Sequence, residues 1–96
     1  MKHVLLSADG PIALYEVPDE IAENLRKYCL EFLDWIYYAP ENEAFRTDGY
    51  FPEAEFINYV NTVVYPDITD KSRFIKEIDA ISIIPEEYKS LPWFNF

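Results

Sequence analysis

Ile21, Leu25, Tyr28, Cys29, Phe32, Leu33 and Ile36 recur at spacings of three, four and one. At about 100° per residue they fall on one side of an α-helix, so residues 19–38 read as a long amphipathic helix. Val17-Pro18-Asp19-Glu20 opens it, with proline in the first turn and carboxylates at the positive end of the helix dipole. Pro40 closes it. A helix with this much apolar surface needs a second layer to cover it, and the rest of the chain must supply that layer.

Two short segments rich in apolar and branched residues, Lys2–Ser7 and Ile12–Val17, flank the turn cluster Ala8-Asp9-Gly10-Pro11. They predict a β-hairpin. Pro52-Glu53-Ala54-Glu55 repeats the acidic, proline-led helix start, and Phe56, Ile57, Val60, Val63 and Val64 form a second stripe that stops at Tyr65-Pro66. Asn58, Asn61 and Thr62 are expected on its opposite side. Residues 41–49 are polar and read as a loop, with a possible turn at Thr47-Asp48-Gly49-Tyr50. Residues 72–84 stay open between helix and strand: Phe74, Ile75 and Ile78 suit a helical turn, while Ile81-Ser82-Ile83-Ile84 looks like a strand. Pro85-Glu86-Glu87-Tyr88-Lys89 reads as one helical turn. The expected fold is a single α+β domain over residues 1–96, a small antiparallel sheet carrying two main amphipathic helices.

Charge narrows the function. Eighteen Asp and Glu against eight Lys and Arg give a formal charge of −10, yet 18% of the chain is Phe, Tyr or Trp. An acidic disordered tail lacks such aromatics, so the expectation is a folded domain with an anionic surface. That surface repels phosphate backbones and anionic lipid, and so argues against nucleic acid or membrane as partner. A cationic protein is the partner it favours. One cysteine permits no internal disulfide, which suits a reducing compartment such as the cytoplasm. No apolar run reaches the roughly 18–20 residues of a membrane helix, and the first residues carry too short an apolar stretch for a secretory signal.

Three segments carry a resemblance. They are Tyr15-Glu16-Val17-Pro18-Asp19 with Asn24-Leu25-Arg26-Lys27-Tyr28-Cys29-Leu30-Glu31-Phe32; Glu55-Phe56-Ile57-Asn58-Tyr59-Val60-Asn61 with Tyr65-Pro66; and Ile84-Pro85-Glu86-Glu87-Tyr88-Lys89 with Pro92 and Phe94-Asn95-Phe96. Together they resemble a group of short, uncharacterised bacterial proteins. The resemblance implies a bacterial, cytoplasmic setting and transfers no catalytic residue or activity. Small acidic proteins of this kind suggest, by analogy, a toxin-immunity or inhibitory role.

Catalytic constellations are hard to assemble from these residues. His3 is the sole histidine, and no serine sits in a Gly-x-Ser-x-Gly setting. Cys29 lies on the apolar stripe, where burial makes a thiol inert. One His and one Cys cannot make the usual zinc sets, and no calcium-loop motif is present. The paired carboxylates Asp19-Glu20, Glu53/Glu55 and Glu86-Glu87 better serve helix starts, and a domain this small leaves little room for a substrate cleft. With only Gly10 and Gly49, a phosphate cradle is not expected. No catalytic residue, cofactor or metal is therefore assigned.

The outer face of the first helix is the remaining candidate. Glu20, Glu23, Lys27, Glu31 and Asp34 cluster opposite the core, with Glu23–Lys27 and Lys27–Glu31 at i,i+4. Leu30 and Tyr37 project away from the stripe, one heptad apart, and Tyr38 is a candidate additional contact. Either loop 41–49 or the last residues fold over them, or they form the dry centre of an interface with a charged rim. Trp35 is a further candidate contact. The expected protein-binding set is thus Glu20, Glu23, Leu30, Glu31, Asp34, Tyr37 and Tyr38, acting as an immunity or inhibitor protein against a cationic toxin or nuclease. A homodimer built on the same exposed residues is the alternative. Trp93-Phe94-Asn95-Phe96 is expected to anchor in the core.

Overall fold

The computed structural model describes residues 1–38, 52–78 and 84–96. The expected loop at 41–49, its turn at Thr47–Tyr50 and most of the expected strand at 81–84 lie outside the described residues. The hairpin forms as the sequence predicts. Strand β1 (Lys2–Ser7) pairs antiparallel with β2 (Ile12–Val17), Val4 facing Tyr15 and Leu6 facing Ala13. In its turn Asp9 takes a left-handed backbone (φ 58°), a conformation that a short polar side chain tolerates better than most.

The expected helix over 19–38 is broken in two. Helix α1 (Asp19–Glu23) stops at Asn24, whose backbone is at φ −129°, and α2 (Leu25–Tyr38) follows at once. The Asn24 side-chain Nδ2 and backbone N–H both donate to the Glu20 carbonyl, at 3.1 Å each. This local bond competes with the helical ladder, which is why asparagine interrupts the element while the apolar stripe continues across it.

Helix α3 (Pro52–Tyr59) opens the second helical segment, which widens into a π-turn over Val60–Val64 closed by the Tyr65 N–H donating to the Val60 carbonyl at 2.9 Å. The wider turn rotates later residues off the stripe, so Val63, expected in the core, is exposed. Asn61, expected on the solvent side, turns inward instead. Its Nδ2 donates to the Ser72 carbonyl at 2.9 Å, and its Oδ1 accepts from the Ser72 N–H at 2.8 Å.

Residues Arg73–Ile78 form strand β3, so the helical turn suggested for Phe74, Ile75 and Ile78 gives way to an edge strand paired antiparallel with β2. Ile75 is the extra residue at a bulge opposite Leu14 and Tyr15, which interrupts the open edge. After a 3₁₀ turn at Glu86–Tyr88, strand β4 (Trp93–Asn95) runs parallel to β1 on the far side. The sheet order is β3-β2-β1-β4. The architecture is the expected small α+β fold, with a mixed sheet in place of a wholly antiparallel one.

Both faces of this sheet are covered. Val4, Leu6, Ala13, Tyr15 and Val17 meet the helices through Ile21, Leu25, Cys29, Phe32, Ile36, Phe56 and Val60. Leu5, Ile12, Leu14 and Ile78 point the other way and pack beneath Ile75, Ile84, Tyr88 and Leu91. Parallel pairing requires a crossover, and the segment around residues 84–91 makes it over this second face. A strand buried on both sides loses polar alternation, as Val4-Leu5-Leu6 shows.

Of the final aromatics Phe94 and Phe96 anchor against the core as expected, while Trp93 stays exposed. Phe96 stacks edge-on against Phe32 with ring centroids 5.8 Å apart, and against Phe94 at 4.9 Å. Asn95 ties β4 to the hairpin turn: its Oδ1 accepts from the Ser7 hydroxyl and the Asp9 N–H, both at 2.8 Å, while its Nδ2 donates to the Asp9 carboxylate at 2.9 Å. The Trp93 indole N–H donates to the Ser7 hydroxyl at 3.0 Å.

Candidate protein-binding face and a neighbouring cleft

Helix α2 buries Leu25, Cys29, Phe32 and Ile36, and this fixes which side it presents outward. Leu30, Tyr37 and Tyr38 are 43%, 48% and 81% exposed. Helical spacing places Leu30, Asp34, Tyr37 and Tyr38 along one outer stripe, with Glu31 next to it. Glu31 and Asp34 are exposed and make no ion pair among the described residues. Trp35 is turned inward onto Tyr59, with ring centroids 5.1 Å apart, and so belongs to the core margin.

The other two acids of the expected set are drawn elsewhere. Glu20 accepts a 2.6 Å hydrogen bond from the Tyr65 hydroxyl. Glu23 pairs with Lys2 at 3.5 Å. The expected i,i+4 pairs through Lys27 are not made; its ammonium sits 5.2 Å from the centre of the Tyr28 ring. The break at Asn24 accounts for the missing Glu23–Lys27 pair, because a helical wheel cannot be carried across a residue that leaves the helix, while within α2 Lys27 turns to the Tyr28 ring and away from Glu31. The continuous acidic rail is therefore reduced to Glu31 and Asp34 beside three apolar or aromatic side chains.

The Glu20 contact shifts both of its groups. Hydrogen bonds from Tyr65 and then Tyr28 hold the Glu20 carboxyl below the usual range, while the bond to Glu20 pushes the Tyr65 phenol up to about 12. Tyr15 also rises to about 12, first through burial and second through the nearby Glu53. A phenol whose pKa is higher folded than unfolded adds stability that is full below pH ~10 and is lost as pH rises toward about 12. Spectrophotometric titration should show two of the tyrosines ionising near 12 in the native protein. Replacing Tyr65 with Phe should remove one of these late steps, and a native titration with every phenol near 10 would contradict both contacts.

Cys29 is fully buried, and burial pushes its thiol far above the ordinary value, as expected for an inert core cysteine. Among the described residues no group of three or more His, Cys, Asp and Glu is placed to hold a metal ion, and no helix is long and apolar enough to cross a membrane.

Open clefts do exist, contrary to the expectation from size. One of about 410 Å³ is lined by Met1, Lys2, His3, Ala22, Glu23, Ser90, Leu91 and Pro92. Another, of about 540 Å³, is bordered by Glu16, Thr69, Asp70, Lys71 and Arg73. The first gathers His3, Ser90 and Glu23 from three distant segments, but no hydrogen bond joins them, so no nucleophile–base pair is set. Sequence spacing carried no sign of this cleft, because its residues meet only when α1 and residues 90–92 close on the start of β1.

These features define a small α+β domain with an apolar, acid-bordered helix face and a separate mixed cleft. Comparison of the chain with protein-family models, with curated proteins and with solved structures finds no match.

Proposed function

We propose that this protein acts by stoichiometric association with a basic protein through the outer face of α2, and not by catalysis. The observation that carries the reading is the exposure of Leu30, Tyr37 and Tyr38 beside Glu31 and Asp34, which make no ion pair among the described residues. Aromatic and aliphatic side chains at the centre with charges around them are what a binding patch needs. The net charge of −10 speeds encounter with a cationic surface and disfavours nucleic acid and anionic membranes. The concrete form is an immunity or inhibitor protein that neutralises a cationic toxin or nuclease. The resemblance noted above supports a bacterial, cytoplasmic setting, where a lone cysteine stays reduced.

The test is capture from an extract of the source cells at about 0.15 M salt and again at high salt, where the Debye length shrinks from ~8 Å toward 3 Å. One basic partner retained at unit stoichiometry and released by salt is the expected result. The double variant Glu31→Lys/Asp34→Lys should slow its association by about tenfold or more, and Tyr38→Ala should speed its dissociation. Unchanged binding in these variants would sink the proposal. Self-association alone, read as concentration-dependent mass in light scattering, would move the function to a homodimer.

A further inference from the structure

The cleft beside the start of β1 is a different surface from the α2 stripe, and its chemistry is specific. Lys2 and Glu23, 3.5 Å apart and both about half exposed, place one positive and one negative group at its mouth. Met1, Ala22, Leu91 and Pro92 supply apolar walls. His3 and Ser90 are exposed and make no hydrogen bond within the described residues, so an imidazole and a hydroxyl remain available to a ligand. The volume of about 410 Å³ lies within the range of small-molecule sites.

Charge selects among ligand classes. A simple anion meets Glu23 and a molecule of net charge −10, and a simple cation meets Lys2. A ligand carrying both charges on adjacent atoms satisfies each side, its ammonium against the Glu23 carboxylate and its carboxylate against the Lys2 ammonium. Exposed ion pairs such as Lys2–Glu23 are weak, so opening this one to admit the ligand costs little. The apolar walls then call for an apolar substituent. We propose that this cleft binds a small zwitterion with an apolar side chain, a free amino acid of the leucine type, with His3 and Ser90 adding hydrogen bonds to its carboxylate.

The test is an amide NMR titration of the intact protein with free L-leucine. Saturable shifts at Lys2, His3, Glu23, Ser90 and Leu91 are expected, with a dissociation constant in the millimolar range suited to so small a ligand. The amide of leucine and its des-amino analogue each lose one charge and should bind about tenfold more weakly or worse, as should L-leucine to Lys2→Gln or Glu23→Gln. Both substituted side chains are solvent-exposed, so the variants keep the fold. The proposal is overturned by an absence of saturable shifts up to about 50 mM, well above the expected range. It is equally overturned by shifts confined to other residues, or by equal binding of the singly charged analogues.

Discussion

Replacing Phe32 with Ala is expected to cost about 3–5 kcal/mol, a large part of the ~5–15 kcal/mol that holds a domain of this size together. Phe32 is fully buried and is the ring on which the aromatic core converges. Phe56 and Phe96 meet it edge-on at 5.6 and 5.8 Å, and Tyr59 and Trp35 tilt against it at 5.5 and 6.4 Å. Its loss uncouples α2 from α3 and from the residue that follows β4, and the surrounding rings cannot all collapse into one gap. Urea denaturation checks this, with Phe32→Leu as the milder control that retains most of the volume. A loss below about 1 kcal/mol would mean that the rings do not pack around this position.

Asn61→Ala is expected to cost about 2–4 kcal/mol, although asparagine at this position reads from sequence as a solvent-side helix residue. Its amide meets both the N–H and the carbonyl of Ser72, a buried residue just ahead of β3. Removing the amide leaves two backbone groups without partners where water has little access, and each such group costs ~1–3 kcal/mol. Asn58→Ala, three residues earlier and exposed, provides the contrast and should change stability by no more than about 0.5 kcal/mol. Equal effects at the two positions would show that Ser72 finds other partners.

These two residues mark how far the sequence could be read. Phe32 was legible as core because a seven-residue stripe at helical spacing has only one efficient way to leave water. Asn61 was not, since its role depends on a π-turn that rotates it inward and on a distant loop arriving beside it. The same division runs through the candidate surface. Leu30 and Tyr37 stood out as apolar residues on the wrong side of a helix, and they are exposed, as is Tyr38. Glu20 and Glu23 looked equivalent to Glu31 and Asp34 on a wheel, yet their partners, Tyr65 and Lys2, come from 45 residues downstream and 21 residues upstream.

The sequence by itself determined the β1–β2 hairpin, the apolar face of the first helical segment, the start of that of the second at Phe56, Ile57 and Val60, the inert Cys29 and the anchoring of Phe94 and Phe96. All of these follow from local periodicity, turn residues and the gain from burying rings. Tertiary structure alone decided the strand at Arg73–Ile78, the parallel β1–β4 pair and the cleft that gathers His3, Glu23 and Ser90. Each depends on groups far apart in the chain, whose hydrogen bonds and packing exist only once the sheet has closed between its two covering layers.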